Sequence, residues 1–206
     1  MKKTLIIILI FVASVGASQN ENSTEATIFK RLELLYPNYY YFDKRFKISL
    51  PVVNIGIKYQ QTYQNNWGFQ SAILFDHMRS FKGADEFGDF VERNVLYPSI
   101  GSHFKFLSKN RFELMVTGDI EGRLGWITYF ASSNSFETVL GEYELLDAGV
   151  NLGIYGLYQF KKRLFLSLTI NHSLYFYRYD KGFDPWIDPS PLNVSRLALG
   201  VGWRLN

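Results

Sequence analysis

The residues whose types could perform catalysis most readily are His172 and Ser173, because a histidine that activates a serine hydroxyl is a common hydrolytic device. Such a pair requires the imidazole to reach the hydroxyl and an acidic group to orient the imidazole. Adjacent residues of a β-strand point to opposite faces, so these two side chains meet only if a bulge intervenes. No glutamate follows Ser173, and the later acidic residues are Asp180, Asp184 and Asp188. The sequence therefore predicts no catalytic residues, and His172 with Ser173 is the alternative.

This pair bears a partial resemblance to the motif of the lipid A deacylases, which are small outer-membrane barrel enzymes. Their motif is His-x-Ser-Asn with a Glu further along the chain, and the two-residue spacing puts both reacting side chains on one strand face. The resemblance implies a lipid-modifying outer-membrane enzyme that uses His172 or His77. The adjacent positions of His172 and Ser173 depart from the motif and argue against that activity.

Metal and cofactor sites are not indicated by the remaining polar residues. His77, His103 and His172 are far apart in the chain and lack the spacing that places two imidazoles on one metal ion. Asp119 and Glu121 share a strand face, but a glycosidase pair needs a cleft that is open to sugar. The sequence therefore predicts no metal, no cofactor and no enzymatic activity.

The N-terminus has the order of a secretory signal peptide. Lys2 and Lys3 precede an apolar run over residues 5–15, and small residues follow. This order predicts export with cleavage after Ala17. An N-terminal membrane anchor is the alternative, but the run is shorter than the roughly 20 residues that a spanning helix needs.

Composition narrows the function classes further. The chain has 22 basic and 19 acidic residues, which nearly balance once Lys2 and Lys3 are removed, so charge gives no reason to expect a nucleic-acid partner. There is no cysteine, so stability must come from a core or from a bilayer. The 18 Phe, 14 Tyr and 4 Trp form a large aromatic share. Beyond the N-terminal run, a membrane crossing would require strands.

Alternation of apolar and polar residues is the main structural pattern, and it is typical of β-strands. In RFELMVTGDIEG, residues 111–122, Phe112, Val116 and Ile120 share one face while Glu113 and Glu121 share the other. The segments with this alternation are Val53–Tyr63, Trp67–His77, Leu96–Phe106, Arg111–Phe130, Ala148–Phe160, Leu164–Phe176 and Leu197–Leu205. Arg31–Phe42 is predicted as an eighth strand, with a short helix over Glu25–Leu35 as the alternative. Pro51 predicts a bulge.

The connections alternate in length. Residues 64–66, 108–110 and 161–163 form tight turns, whereas 78–95, 131–142 and 179–193 form long loops. Short turns at one end and long loops at the other are typical of an antiparallel transmembrane β-barrel, with the turns in the periplasm and the loops outside the cell. The predicted organisation is a signal peptide over 1–17 and a single barrel domain over 18–206, in which 18–30 form a flexible segment.

The apolar face of each segment is long enough to cross a bilayer, which takes about 9–11 residues in a tilted strand. Aromatics near the ends of those faces, such as Trp67, Trp126 and Trp203, suit interfacial girdles. The opposite faces point into a narrow lumen, where charges are expected to pair rather than to conduct ions. The predicted lumen charges are Lys58, Asp76, Lys105, Arg111, Glu113, Asp119, Glu121, Arg123, Asp147, Arg196 and Arg204.

The C-terminal segment, LALGVGWRLN over residues 197–206, resembles the last strand of small bacterial outer-membrane β-barrel proteins, which alternates apolar and small residues and has an aromatic near the end. The cysteine-free, aromatic-rich composition resembles Bacteroidetes-type members of that family. The chain departs from the family by ending in Leu205-Asn206 rather than in an aromatic residue. The resemblance implies an architecture in the envelope of a Gram-negative cell and does not imply an activity.

The sequence thus predicts an outer-membrane β-barrel with a structural, adhesive or binding role through its external loops. Outer-membrane lipid is the expected partner, with an extracellular or envelope protein as a further candidate. Phe183, Trp186 and Ile187 are the loop residues expected to contact such a protein. The alternatives are the lipid-modifying enzyme above and a soluble secreted barrel that binds an apolar ligand.

Overall fold

The computed structural model describes residues 27–41, 50–81, 90–133, 136–181 and 193–205. The predicted signal peptide and the loop residues Phe183, Trp186 and Ile187 lie outside these described residues. Within the described part of the chain, no helix is both long enough and apolar enough to cross a membrane.

Eight antiparallel strands close into one barrel, each paired with its sequence neighbours and the first paired with the last. The strands are β1 (Thr27–Tyr41), β2 (Leu50–Tyr63), β3 (Trp67–Phe81), β4 (Phe90–Lys109), β5 (Phe112–Ser133), β6 (Phe136–Gln159), β7 (Leu164–Lys181) and β8 (Asn193–Arg204). The predicted fold class and the eighth strand are confirmed, and the alternative helix is wrong. Residues 27–30 belong to β1 rather than to a flexible segment, because Phe29 pairs with Thr62 of β2.

Three short turns lie at the same end of the barrel as the start of β1 and the end of β8, and this end is called the turn end below. They occupy residues 64–66, 110–111 and 160–163. Asn66 and Asn110 have φ values of 69° and 55°, a left-handed conformation that asparagine tolerates better than most residues. The predicted bulge is confirmed, since the β2–β3 register shifts between Pro51 and Val53.

The strands extend much further toward the opposite end than the sequence predicts. Residues 78–81, 90–95, 131–133, 136–142 and 179–181 belong to strands instead of loops. β5 and β6 form a hairpin whose last pair is Ser133 with Phe136, so the predicted loop over 131–142 is wrong. The apolar–polar alternation fades in these parts, because it marks only strands that have one apolar environment and one polar environment. The backbone hydrogen bonds between strands continue without such a pattern.

Alternation along each strand separates an apolar outer face from an inner face that fills the lumen. In β5, the side chain of Ile120 is 68% exposed on the outside and that of Glu121 is 1% exposed on the inside. The largest fully buried side chains are Arg31, Arg123, Arg196, Tyr97 and Tyr155, so the lumen is not lined mainly by small residues. Polar and charged groups therefore form most of the interior, and hydrophobic groups form the wall.

Candidate functional site

The turn end of the lumen holds a cluster of cations around one carboxylate and one ring, called the turn-end cluster. Arg31 forms an ion pair with Glu113, and its guanidinium lies 4.1 Å from the centre of the Phe29 ring. Arg204 lies 3.9 Å from Glu113 and 4.6 Å from the Phe29 ring. The Lys105 ammonium is 4.8 Å from the same ring. The Phe29 ring and the Glu113 carboxylate thus stabilise three cations at this end of the lumen.

Glu33 links the turn-end cluster to the middle of the barrel. Its carboxylate accepts a hydrogen bond from the Tyr155 hydroxyl at 3.0 Å and another from the Ser167 hydroxyl. The Lys58 ammonium lies 4.1 Å above the Tyr155 ring. Tyr155 therefore contacts the Glu33 carboxylate through its hydroxyl and the Lys58 ammonium through its ring.

Glu121 and Arg196 form the central cluster. Two guanidinium nitrogens of Arg196 donate to the two oxygens of Glu121, each at 2.5 Å, which is the bidentate geometry of the strongest ion pairs. The Tyr175 hydroxyl donates to the same carboxylate and accepts a hydrogen bond from Arg196 at 2.8 Å. The Arg196 guanidinium also lies 4.5 Å from the Tyr97 ring. Every charge in this cluster has both an ionic partner and a neutral one.

Two further ion pairs lie beyond the central cluster, away from the turn end. Arg123 forms a fully buried pair with Asp147, and its guanidinium lies 4.2 Å from the Tyr175 ring. Arg93 donates to Asp76 at 3.1 Å. Because Tyr175 contacts both the central cluster and Arg123, the Arg123–Asp147 pair and the central cluster are connected.

A small cavity lies in the lumen beside the central cluster and is lined by both polar and apolar residues. Its volume is about 20 Å³, which is room for about one water molecule. Gln70 on its wall donates to Asp119 at 2.7 and 3.0 Å. Ser71, Asn151 and Thr169 contribute further buried polar atoms to the lining. At the level of this cavity, side chains fill the described lumen.

Of the residues predicted to carry lumen charges, Arg111 does not lie in the lumen. It follows Asn110 in an exposed turn, because β5 begins one residue later, at Phe112. Alternation assigns a face only within a strand, so the prediction for Arg111 is wrong. The other predicted residues all lie on inner faces, with Asp119 and Arg204 half-buried.

Sequence reasoning missed Arg31, Glu33 and Arg93 as lumen residues. Arg31 and Glu33 alternate with Leu32 and Leu34, which lie on the outer face, and this pattern could have identified them. Arg93 fell within a predicted loop, and only the strand continuation over 90–95 places it inside.

The three histidines lie at separate places in the barrel. His103 is buried in the lumen, where its Nε2 is 2.9 Å from the Thr62 hydroxyl. The His77 Nδ1 is 2.6 Å from the Asn94 side-chain oxygen, toward the end opposite the turns. His172 lies on the outer face, with its Nδ1 2.8 Å from the hydroxyl of Ser195. Among the residues that the structure describes, no group of side chains is arranged to hold a metal ion.

The alternative catalytic pair is not assembled. Ser173 is fully buried in the lumen while His172 is exposed on the outside, so the two side chains point in opposite directions. His172 pairs with Leu152 on one side and with Ser195 on the other. Backbone N–H groups along this stretch therefore serve the sheet ladder rather than an oxyanion hole.

Exposed aromatic side chains form two bands on the outer wall. The band at the turn end consists of Trp67, Phe106, Phe112, Tyr158 and Trp203. The other band includes Trp126, Phe176 and Tyr177. Phe176 lies twelve residues beyond Leu164, the first residue of β7, and a tilted strand rises roughly 30 Å over that length. The surface between the bands is mainly apolar, with His172 and Ser195 among its polar side chains, and it has the height of a bilayer core.

These features define a class: a closed eight-stranded antiparallel β-barrel with an apolar wall, as found among bacterial outer-membrane barrels. A major outer membrane protein from Thermus thermophilus shares this fold, with a TM-score of 0.58 and 11% identity over 85% of this chain and 99% of that one.

Two further solved structures are similar at lower TM-scores. Ail, the attachment invasion locus protein of Yersinia pestis, was solved in complex with the heparin analogue sucrose octasulfate. It gives a TM-score of 0.47 and 13% identity over 88% of this chain and 97% of that chain. The N-terminal β-barrel domain of Pseudomonas aeruginosa OprF gives a TM-score of 0.42 and 11% identity over 85% and 96% of the two chains. No model of a protein family matches the chain, and no curated protein matches it.

Proposed function

We propose that this chain is an outer-membrane β-barrel whose filled lumen makes it a structural scaffold for contacts made at its external end. The observation that carries the proposal is the direction of the two faces. Hydrophobic side chains such as Leu152, Ile154 and Leu199 point outward, and the ion pairs point inward. A soluble barrel would have the opposite arrangement, because exposed apolar surface costs free energy in water.

The filled lumen argues for a scaffold and against a pore. Glu121 and Arg196 satisfy each other's charges across the barrel, and Tyr175 fills the space beside them. Moving an ion through this cluster would require breaking a buried bidentate pair, which is costly. The role of the protein therefore lies in its surfaces rather than in transport.

The membrane orientation can be tested by placing a charge on the outer wall. Ile120→Arg puts a guanidinium on the wall between the aromatic bands, where we expect it to lower the free energy of unfolding in phospholipid vesicles by about 2–4 kcal/mol. Val139→Arg is the matched control. Val139 is also exposed, but it lies beyond Trp126, past the apolar band, so its replacement should have an effect of about 0–1 kcal/mol.

The unaltered protein should require detergent for its extraction from membranes. Its migration on a detergent gel should change when the sample is heated. A chain that is recovered as a soluble monomer without detergent, and that tolerates Ile120→Arg as well as Val139→Arg, would show that the proposed orientation is inverted.

The binding role is assigned to the external end, opposite the short turns. In the sequence, Phe183, Trp186 and Ile187 fall between β7 and β8, in a segment that is rich in proline and aspartate. Aromatic and aliphatic side chains are frequent anchors of protein interfaces. The test replaces Phe183, Trp186 and Ile187 together by serine. Bacteria that display the unaltered protein should attach to one another or to a surface more than bacteria that display this triple variant at equal surface density. Equal attachment would leave the scaffold without this binding role.

A further inference from the structure

The hydrogen-bonded ladder between β1 and β2 stops well before the two strands end. Its last pair is Leu35 with Gly56, although β1 continues to Tyr41 and β2 begins at Leu50. Beyond that pair β1 stays joined to β8, and β2 stays joined to β3. The described wall therefore has a seam between β1 and β2 on the side away from the turns.

Pro37 explains why the ladder is interrupted there. Proline has no backbone N–H, so it cannot donate to a neighbouring strand. Continuing the register of Leu35 with Gly56 places Asn54 opposite Pro37. The Asn54 side-chain amide donates to the Pro37 carbonyl at 3.0 Å. A side-chain hydrogen bond thus joins the two strands where a backbone pair would otherwise lie.

An apolar groove of about 740 Å³ lies directly outside this seam, within the size range of ligand sites. Its walls include outward residues such as Leu34, Tyr36 and Leu199. They also include Leu35 and Asn54, which belong to the inner face. Ser167 and Gly200, which pair in the intact β7–β8 ladder, line the groove too, so its floor is the backbone of the wall.

The interior behind the seam contains apolar side chains beside charged ones, since Asn54 pairs with the fully buried Asp76 of β3. Leu35 and Leu74 are buried there, in one cluster with Val95, Tyr97 and Val194. The Leu74 side chain lies over Gly56, the last β2 residue in the ladder, because a Cβ at Gly56 would overlap it. The apolar contacts of an occupant would come from lining residues such as Leu34, Tyr36 and Leu199.

We propose that this groove binds one acyl chain of a membrane phospholipid at the β1–β2 seam. The inference rests on the proposed membrane orientation, since the groove opens on the same apolar wall that would contact the bilayer. Leu166, Leu199 and Val201 line the groove and continue the outer face of β7 and β8 without interruption. A flexible linear chain suits a groove that crosses several strands, and the described residues of the lining carry no charged side chain that would select a polar ligand.

The test is native mass spectrometry of the full mature protein, extracted from membranes in detergent and supplied with phosphatidylethanolamine. The unaltered protein should retain one phospholipid through detergent exchange. Leu199→Trp fills the groove and should lower that occupancy by about tenfold. Ile120→Trp is the matched control, because it adds the same side chain to the outer wall on β5, and it should retain the lipid. Val201→Trp serves as a second filling variant.

Heat-modifiable migration of each variant verifies that its barrel has folded. Loss of lipid from a folded Leu199→Trp barrel, with retention by Ile120→Trp, would support the site. Equal lipid occupancy in both variants would show general adsorption to the wall and would overturn the proposal. Retention of a free fatty acid in place of a phospholipid would overturn it as well. If the unaltered protein is heat-modifiable but carries no lipid, the seam proposal fails while the membrane role stands. If it is soluble without detergent, the proposed function itself fails.

Discussion

Replacing Arg196 by methionine should destabilise the barrel more than most single substitutions would. Arg196 and Glu121 are 2% and 1% exposed, and they share two hydrogen bonds of 2.5 Å. Methionine keeps the length and bulk of the side chain but removes the charge, which leaves the Glu121 carboxylate without its cation. Removal of one partner of a buried pair costs about 3–5 kcal/mol, because the remaining charge is buried without compensation.

The remaining contacts of Glu121 set the expected value within that range. The Tyr175 hydroxyl and the Asn151 amide still donate to the carboxylate in the Arg196→Met variant. Hydrogen bonds to a charged group are each worth about 1.5–3 kcal/mol, so they reduce the penalty but cannot supply a countercharge. We therefore expect a loss near the lower limit, about 3 kcal/mol.

The assay is reversible unfolding by guanidinium chloride of barrels folded into phospholipid vesicles, followed by tryptophan fluorescence. Arg111→Met is the matched control, because Arg111 lies in an exposed turn and its replacement should change the free energy of unfolding by at most about 0.5 kcal/mol. The double variant Glu121→Gln/Arg196→Met removes both charges together. It should be more stable than the sum of the single effects implies, with a coupling of about 0.5–3 kcal/mol.

An Arg196→Met variant as stable as Arg111→Met, or additive effects in the double variant, would contradict a buried, unscreened pair. Either result would mean that water reaches the pair and screens it. The interpretation that side chains fill the lumen and exclude water would then be wrong. The argument against a pore depends on that interpretation.

Two further predictions concern close packing and catalysis. Gly101→Ala should lower the free energy of unfolding by about 1–3 kcal/mol, because its Cβ would lie 2.6 Å from the Asp119 Cα in the neighbouring strand. Gly118→Ala is the control and should be nearly neutral, because its Cβ would have its nearest contact at 3.6 Å. Thermal unfolding distinguishes the two variants, and equal melting temperatures would contradict this packing. Joint replacement of His77 and His172 by alanine should leave the mass of lipid A unchanged in cells that express the protein. His172 contacts the Ser195 hydroxyl and His77 lies near Glu92, but the described contacts join serine, histidine and acid around neither ring. A mass shift that depends on these histidines would restore the enzymatic alternative.

The alternation of apolar and polar residues was sufficient to predict the barrel and most of its interior. Glu113, Glu121 and Arg123 could be assigned to the lumen because each strand position has only two directions available to it. The same rule separated His172 from Ser173. These inferences are local, since they need only a residue and its neighbours two positions away.

The pairing of strands was beyond that reasoning. The length of the β5–β6 hairpin and the placement of Arg93 depend on ladders that continue after the alternation has faded. The rings beneath the cations, such as Tyr155 beneath Lys58, come from strands far away in the chain. No short-range pattern contains such partnerships.

The amino-acid sequence alone establishes that this chain forms strands with one apolar face and one polar face, because a period of two residues is a local property of extended backbone. Only the tertiary structure decided which charge meets which across the lumen, and that β1 and β2 separate beyond Leu35. The physical reason is that closure of a barrel fixes the register and tilt of all its strands together. Partners in the lumen follow from that collective geometry rather than from any single segment.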